Sequence, residues 1–438
     1  MKRYLFLIAL TLLCACGKGN NSDGEDADYS SVSASKLADI PAKDRVMPQI
    51  YQVNPKLYGT SGAFGKIQLR LDEIKALGTD VLYLMPVYEQ GREKSLGSPY
   101  CIRNYKAVNT SYGSLEGLRS LVNAAHAKGM KVMFDWVANH TAWDHPWISE
   151  HPDWYVKDGS GNIVSPTADG VWNDVALLDY NSTELRAAMT DAMLYWVKEL
   201  GIDGYRCDYA HGPSGRQSGP MDEFWISAIA ELRSEKADLL MLAESDFTKM
   251  YGDGFDIIFS RSSKASLISS FGSGDMSGFV NTAQSALSSA PAPCSPLLFI
   301  TNHDDATSST PIKDFKSAEG ALAAFLLMRS LPSATMLYGS QEIGYDKTIN
   351  FFNVINIDWH SNNKLLDVYK KSLSAFAKIP RSGTATVYTA GRAVLVHYSG
   401  GSLFAVNLGD KALSVSLPSA VSSSPVKLDA FGWAAKEL

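Results

Sequence analysis

The feature that most constrains this chain is a repeated unit in which a predicted helix ends at a glycine and a short apolar strand follows. Clear examples of the unit have their glycine at positions 78, 129 and 201. Glycine is favoured directly after a helix because it adopts left-handed backbone angles without strain. Helices that alternate with short apolar strands indicate a parallel sheet with helical crossovers. The pattern therefore predicts an α/β fold.

Eight apolar runs predict the strands of that sheet, and eight strands are enough to close a (β/α)8 TIM barrel of about 250 residues or more. The runs are residues 50–53, 81–85, 131–134, 204–207, 239–243, 256–259, 297–300 and 334–338. We predict that the barrel covers residues 43–380, with a short insert at about 141–181 after the third strand. Short alternating runs between glycines predict a small antiparallel β domain at 381–438.

Residues 1–16 have the pattern of a lipoprotein signal peptide. Lys2 and Arg3 give a positive start, and residues 4–13 are apolar but too short to span a bilayer. Cys16 follows a small alanine and lies three residues after Leu13, as in a bacterial lipobox. Cys16 is therefore the predicted lipidation site, and the alternative is an ordinary cleaved signal peptide.

Residues 17–42 predict a flexible acidic tether that contributes nothing to a core, because glycine, serine, asparagine and acidic residues dominate its first part. The acidic run at 22–26 resembles the surface-export signal of Bacteroidota lipoproteins. We therefore expect an outer-membrane lipoprotein of the bacterial cell envelope, held to the membrane by its lipid. Whether it faces the periplasm or the cell surface stays open.

The bulk properties exclude one class of partner. The net charge is −6, which argues against nucleic acid, because a nucleic-acid-binding protein needs a basic face. Hydrophobic residues make up 45% of the chain and charged residues 20%, as in a soluble globular protein. This balance suits a neutral substrate such as a sugar, and we expect a monomer.

Polar residues cluster in four short segments, each at the end of a predicted strand. Because the carboxyl ends of parallel barrel strands converge on one face, we expect these segments to meet in one catalytic site. They are DWVANH at 135–140, GYRCD at 204–208, LAE at 242–244 and NHD at 302–304.

The four segments resemble the sequence regions of the α-amylase family of glycoside hydrolases, glycoside hydrolase family 13. The family pattern is D-x-x-x-N-H, G-x-R-x-D, a lone glutamate after a strand, and N-H-D. All four occur here in that order, and the resemblance covers residues 45–360. It implies a catalytic TIM barrel followed by a small β domain.

The resemblance implies roles for three carboxylates: Asp208 as nucleophile, Glu244 as general acid/base and Asp304 as transition-state stabiliser. Glycosidic cleavage passes through an oxocarbenium-like state, which needs a carboxylate beneath the anomeric carbon and a protonated carboxyl at the leaving oxygen. Arg206 lies two residues before Asp208 on the same strand face. We expect its charge to lower the pKa of Asp208 and hold that carboxyl ionised.

The implied substrate-binding residues are Tyr100, His140, Arg206 and His303. The two histidines would donate hydrogen bonds to the sugar, and Tyr100 would stack beneath it; the alternatives are structural histidines and a packing tyrosine. Asp135 is expected to orient its neighbours rather than touch the bond. The tryptophans of the insert either stack on sugar faces or form the core of the insert.

Two departures from the family pattern concern the leaving-side sugar and a metal. Family members often have Lys-His three and four residues after the nucleophile, where this chain has His211 and Gly212, so leaving-side specificity stays open. Asn139 matches one calcium ligand, but Leu177 stands where many relatives have a ligating aspartate. Because calcium prefers several oxygen ligands, we expect no metal and no required cofactor.

The resemblance implies a retaining glycoside hydrolase that cleaves α-1,4-glucosidic bonds of starch-like α-glucans or maltooligosaccharides through a covalent glycosyl-enzyme intermediate. One alternative is an α-glucan transglycosylase, which passes the same intermediate to another sugar. The other is an inactive glycan-binding lipoprotein. Such a protein should have lost a catalytic carboxylate, whereas this chain retains all three.

Overall fold

The computed structural model describes residues 32–42, 44–167, 169–212 and 219–438. Eight parallel strands form a closed barrel, so the predicted TIM barrel is confirmed, and each predicted strand overlaps an observed one. The barrel strands are β1 (Gln49–Val53), β2 (Val81–Leu84), β3 (Lys131–Val137), β4 (Gly204–Asp208), β5 (Leu240–Ala243), β6 (Ile257–Phe259), β7 (Ser295–Phe299) and β8 (Ala334–Tyr338).

Helices surround the barrel or lie in its loops. They are α1 (Ala63–Leu69), α2 (Leu71–Ala76), α3 (Leu115–Ala127), α4 (Trp147–Glu150), α5 (Thr183–Leu200), α6 (Met221–Glu235), α7 (Lys249–Gly252), α8 (Arg261–Ser273), α9 (Ser277–Ser289), α10 (Pro311–Asp314), α11 (Ala318–Ser330) and α12 (Asn363–Lys378). Short 3-10 turns occur at Pro55–Leu57, Pro152–Trp154, Asp305–Thr307 and Gln341–Ile343.

The local signals in the sequence explain where these helices begin and end. Ser114 and Ser182 cap α3 and α5 by accepting a hydrogen bond from a backbone N–H of the first turn. The three glycines of the repeated unit all have positive φ, as the pattern predicted. At Gly201, which ends α5, φ is 67°.

Alternation along each strand gives the barrel two apolar layers. Leu240 and Leu242 of β5 belong to the core inside the barrel, while Met241 and Ala243 face the helices. Side chains on a strand point to opposite faces in turn, so every second residue lines the interior. This parity decides which residues reach the carboxyl end of the barrel.

The insert after β3 is a short excursion closed by two strands. His140–Ala142 pairs antiparallel with Val175–Leu177, and Tyr88–Gln90 pairs with Ile102–Val108 in the loop after β2. Trp147 packs edge-on against Trp154 with ring centroids 5.1 Å apart, so these two tryptophans belong to the core of the insert.

The C-terminal domain consists of two small sheets beside the barrel. One contains Ser35–Pro41, Thr384–Ala390, Ala393–Tyr398, Ser402–Asn407 and Trp433–Glu437. The other contains Val32–Ser33, Leu413–Ser416 and Val426–Leu428. Tyr398 fixes the domain to the barrel by donating a hydrogen bond from its hydroxyl to the Ser330 carbonyl at 2.7 Å.

The predicted tether at 17–42 is wrong for its last part. Residues 35–41 form a strand that pairs antiparallel with Thr384–Ala390, and Ala38 and Ile40 are buried in the interface with the helices. Two residues further upstream, Val32–Ser33, pair with Leu413–Ser416. Residues 1–31, including Cys16, lie outside the described part of the chain. Within the described part, no helix is long and apolar enough to cross a bilayer.

Candidate active site

The strand parity brings the catalytic candidates to the carboxyl end of the barrel. Arg206 and Asp208 are two residues apart on β4 and therefore share its inward face. Glu244 follows β5 and continues the parity of the inward-facing Leu242. In the sheet register Arg206 lies directly beside Asp135 of β3, so the two charges become neighbours.

The fully buried guanidinium of Arg206 contacts three carboxylates. Its Nη1 donates to Asp135 Oδ1 at 2.7 Å and to Asp208 Oδ1 at 2.9 Å. Its Nη2 lies 2.9 Å from Glu244 Oε2. One positive charge thus faces three potential negative charges in a site screened from water. Such an excess of negative charge can stabilise a cationic transition state.

A chain of hydrogen bonds fixes Tyr100 and His303. Tyr100 donates its hydroxyl hydrogen to Asp135 Oδ2 at 2.9 Å, so it accepts one from His303 Nε2 at 2.7 Å. Gln52 Nε2 lies 2.9 Å from the other ring nitrogen of His303. Tyr83 donates to the same Asp135 oxygen at 2.5 Å. Asp135 is therefore an anchor for its neighbours, in line with the role expected from the sequence.

This arrangement directs His303 Nε2–H at Tyr100 rather than at the pocket. The two rings stack with their centroids 5.3 Å apart. A hydrogen bond from His303 Nε2–H to a sugar would therefore require the hydrogen bond between His303 and Tyr100 to break. The sugar contacts of both residues stay predictions.

Burial raises the pKa of the nucleophile candidate. The pKa of Asp208 is raised well above its ordinary value, mainly by burial; nearby Glu244 and Asp135 add to the rise, and Arg206 opposes it. Arg206 lowers the pKa of Asp208 as expected, but burial outweighs it, so the expectation that Arg206 alone would hold this carboxyl ionised is wrong. The guanidinium is shared among three carboxylates and cannot compensate burial for each of them.

Both candidate histidines are neutral at pH 7. Burial lowers the pKa of His140 to about 4, and burial together with the charge of Arg206 lowers the pKa of His303 well below its usual range. Each neutral ring carries one N–H donor. Neutral donors suit the hydroxyl groups of a sugar, because they add no charge that would oppose an oxocarbenium ion.

These side chains surround one pocket of about 430 Å³. The structure brings Tyr100, His140, Asp208, Glu244, His303 and Asp304 together at its wall, with Arg206 buried beneath. The pocket is also lined by Leu96, Ser98, Val171, Trp172, Asp174, Val175, Tyr209, Arg261, Phe351 and Phe352. Apolar rings beside a few polar groups are typical of ligand pockets.

The carboxylate of Glu244 is held from several directions. Its Oε2 accepts a hydrogen bond from the backbone N–H of Tyr209 at 2.9 Å, and Arg261 contacts its Oε1. Tyr209 has a φ of 45°, a left-handed conformation that is uncommon for a residue with a side chain. This strained backbone, directly after the nucleophile candidate, aims the N–H at Glu244.

Asp304 differs from the other two carboxylates because its side chain is half exposed. Its Oδ2 accepts a hydrogen bond from Asn302 Nδ2 at 3.3 Å, and its Oδ1 lies 3.3 Å from His303 Nε2. A carboxylate that is exposed to the pocket can accept hydrogen bonds from the hydroxyl groups of a ligand.

Sequence reasoning missed several pocket residues. Arg261 comes two residues after β6, and the rule that barrel strand ends carry function could have identified it. Phe351 and Phe352 come from the long loop after β8, where the sequence contains no such signal. Of the insert tryptophans, Trp172 lines the pocket.

The residues at the family calcium position do not fit a calcium ion. Asn139 Oδ1 is buried and has no hydrogen-bond partner among the described residues, but Leu177 is fully buried where a ligating carboxylate would stand. Within the described chain, no group of three or more His, Cys, Asp or Glu side chains could hold a metal ion. The absence of a calcium requirement stays a prediction.

Sequence comparison matches residues 20–225 to the family model of the α-amylase catalytic domain. An α-1,4-glucan:maltose-1-phosphate maltosyltransferase of Cereibacter sphaeroides is 32% identical over 254 residues, which are 51% of this chain and 41% of that protein. An α-amylase of Haloarcula japonica is 28% identical over 329 residues, which are 72% of this chain and 47% of that protein. The chain spans less than half the length of these curated relatives.

Among solved structures, the cyclic α-maltosyl-(1→6)-maltose hydrolase of Arthrobacter globiformis in complex with maltose has a TM-score of 0.76 to this chain at 21% identity. The likeness covers 89% of this chain and 99% of that one, and it is a likeness of fold. Residues 20–225 are thus similar to the α-amylase catalytic domain, and the eight-stranded barrel shares its fold with the Arthrobacter globiformis hydrolase.

Proposed function

We propose that this protein is a retaining glycoside hydrolase that cleaves α-1,4-glucosidic bonds of starch-like α-glucans or maltooligosaccharides. Asp208 attacks the anomeric carbon and forms a glycosyl-enzyme intermediate. Glu244 first protonates the leaving oxygen and then takes a proton from the attacking water. Asp304 accepts hydrogen bonds from the distorted sugar ring.

The observation that carries this proposal is the contact of one guanidinium with both Asp208 and Glu244. Two carboxyl groups on the same small cation are close neighbours. Retaining glycosidases keep their two carboxyl groups about 5–5.5 Å apart, whereas inverting enzymes separate them further to admit a water. The shared contact with Arg206 is compatible with the shorter separation that double displacement needs.

The substrate class rests on the pocket and on the relatives. Tyr100, Trp172 and Phe351 offer apolar ring surface, and the carboxylates offer acceptors for hydroxyl groups. Sugars present both kinds of surface. The relative from Cereibacter sphaeroides is named for α-1,4-glucan and maltose 1-phosphate, and the Arthrobacter globiformis structure contains maltose.

The experiment is incubation of the purified protein with maltoheptaose, followed by chromatography of the products. Shorter maltooligosaccharides are expected from the wild type and not from Glu244→Gln, which removes the proton donor. Glu223→Gln is the matched control, because Glu223 is exposed on α6 and pairs only with Arg186 among the described residues. An unchanged maltoheptaose peak in the wild type contradicts the proposal.

A transglycosylase is the second candidate, and the maltosyltransferase relative favours it. It would use the same intermediate and give products longer than maltoheptaose in the same experiment. His211 and Gly212, which replace the family Lys-His, make the acceptor side of this site unlike that of many amylases. An inactive glycan-binding protein would give neither product. It would still migrate more slowly through an electrophoresis gel that contains an α-glucan.

We also propose that the protein is an outer-membrane lipoprotein acylated at Cys16. The support is the lipobox-like end of an apolar segment that is too short to span a bilayer. Wild type should sediment with membranes, and Cys16→Ala should be released or should fail to mature. Equal solubility of the two forms would contradict lipidation, and protection of the wild type from protease in intact cells would contradict surface exposure.

A further inference from the structure

Arg261 is the first residue of α8 and directly contacts the general acid/base candidate. Its Nη2 donates to Glu244 Oε1, and its backbone N–H donates to Asp246 Oδ1 at 2.9 Å. Its guanidinium carbon lies 5.1 Å from the centre of the Phe259 ring. The side chain is thus held over the pocket by a carboxylate and by an aromatic face.

This contact conflicts with the chemistry of a general acid. Glu244 must carry a proton and present it to the leaving oxygen. In this structure its Oε2 is occupied by Arg206 and the Tyr209 N–H, and its Oε1 by Arg261. These contacts leave one acceptor position of the carboxylate, on Oε1 beside the Arg261 guanidinium, so a partner has to give way when Glu244 presents its proton there.

Exposure identifies the partner that moves. The Arg206 side chain is 0% exposed and has two further carboxylate partners, whereas the Arg261 side chain is 43% exposed. Arg261 itself lines the catalytic pocket of about 430 Å³, which gives its guanidinium room to move. Arg261 can therefore release Glu244 without disturbing the barrel.

Arg261 also provides a positive charge on the wall of the catalytic pocket. His211 stands where many relatives have a lysine, and burial lowers the pKa of His211, so its ring is neutral at pH 7. Among the described residues that line the catalytic pocket, Arg261 is the only arginine or lysine. Its guanidinium N–H groups can donate to hydroxyl oxygens of a sugar on the leaving side.

We propose that Arg261 is a leaving-side positioning residue that exchanges partners: it holds Glu244 in the free enzyme and hydrogen-bonds the leaving sugar in the complex. This inference rests on the proposed glycosidase function. A leaving-side sugar draws the guanidinium onto its hydroxyl groups, and Glu244 Oε1 is then free to face the glycosidic oxygen. When no sugar occupies the leaving side, Glu244 stays paired with Arg261.

The test compares two substrates that differ in the leaving group. Cleavage of maltoheptaose releases a sugar with hydroxyl groups. Cleavage of the aryl bond of 4-nitrophenyl α-maltoside releases 4-nitrophenolate, which has no sugar hydroxyl groups and needs little protonation. Arg261→Gln should lower kcat/KM for maltoheptaose about ten- to hundredfold, the usual effect of losing a charged hydrogen bond. For the aryl substrate the change should stay below about threefold. Arg261→Lys, which keeps the positive charge, should recover part of the loss.

Arg103→Gln is the matched control, because Arg103 is similarly exposed and pairs with Glu89 at 2.8 Å away from the pocket. It should leave both rates unchanged. Equal losses on the two substrates in Arg261→Gln, or an unchanged rate on maltoheptaose, would overturn the inference. A wild type that cleaves neither substrate would refute the proposed function instead, so the two failures are distinguishable. Melting curves of all variants identify any that fail to fold.

Discussion

Arg206 is a single buried cation in contact with Asp135, Asp208 and Glu244. Its charge cannot balance all three carboxylates, and the raised pKa of Asp208 follows from this imbalance together with burial. The spacing of Arg206 and Asp208 on one strand could be predicted from the sequence, because strand parity is local. The third and closest partner, Asp135, depends on the register between β3 and β4, which the sequence does not show.

Replacing Asp208 should separate activity from stability. Asp208→Asn removes the proposed nucleophile, so kcat should fall by about 10⁴-fold or more. The same change removes a buried carboxylate that other carboxylates repel, so the melting temperature at pH 7 should rise, by on the order of 1 °C. Thermal melts and maltoheptaose assays test both effects. Asp191→Asn, at an exposed residue, is the control for the melt.

The pH dependence follows from the direction of the Asp208 shift. A carboxyl group whose pKa is raised on folding contributes stability at low pH, and that contribution is lost as pH rises through its folded pKa. The stability advantage of Asp208→Asn over wild type should therefore be present at pH 7 and vanish towards about pH 4, the ordinary aspartate pKa. An advantage that is independent of pH would show that charge is not its cause.

For the same reason, kcat/KM should begin to fall on acidification at a higher pH than is usual for an aspartate nucleophile. The nucleophile acts as a carboxylate, and the raised pKa of Asp208 means that protonation begins above the ordinary range for aspartate. The measurement is kcat/KM for maltoheptaose across the acidic range. An acidic limb centred on the ordinary aspartate pKa would contradict the assigned environment of Asp208.

The strand Ser35–Pro41 is a secondary-structure element that could not be predicted from the sequence. Ser35, Lys36 and Asp39 interrupt its apolar residues, and its pairing partner, Thr384–Ala390, lies near the other end of the chain. Composition therefore predicted a tether, whereas long-range pairing makes it part of a sheet. The barrel strands could be predicted because each contains an apolar run, and three of them follow a helix that ends at a glycine. Arg261 was missed although it lies at such a strand end.

The N-terminal strand should contribute to stability. Ile40 is fully buried in it, so Ile40→Ala should lower the free energy of unfolding by about 2–5 kcal/mol. Lys36→Ala is the control on the same strand, since Lys36 is exposed and should change the free energy by less than about 0.5 kcal/mol. Urea unfolding of both variants measures the difference. Equal small effects would mean that the strand is not part of the folded domain.

The molecule combines a barrel, which local sequence signals predict, with a C-terminal β domain. The strands at Val32–Ser33 and Ser35–Pro41 complete the sheets of that domain. Arg381 and Tyr398 bind the carbonyl groups at the end of α11, so the two parts are fixed to each other. An active fragment should therefore begin before Val32, which pairs with Val415, rather than at the start of the barrel. The predicted boundary at residue 43 would remove both N-terminal strands.

Chelation should leave the whole protein unaffected. The family calcium position has Leu177 in place of a carboxylate, so its donor set is incomplete. Melting curves and maltoheptaose assays with and without EDTA test this. A loss of stability or activity that added calcium restores would show that other ligands complete the site.

The proposed double displacement at Asp208 and Glu244 determines the configuration of the first product. Early products of maltoheptaose cleavage can be followed by proton NMR before mutarotation mixes the anomers. Two inversions at the anomeric carbon give net retention. The new reducing end should therefore first appear as the α-anomer. A first burst of the β-anomer would contradict double displacement, because that outcome requires a single displacement by water.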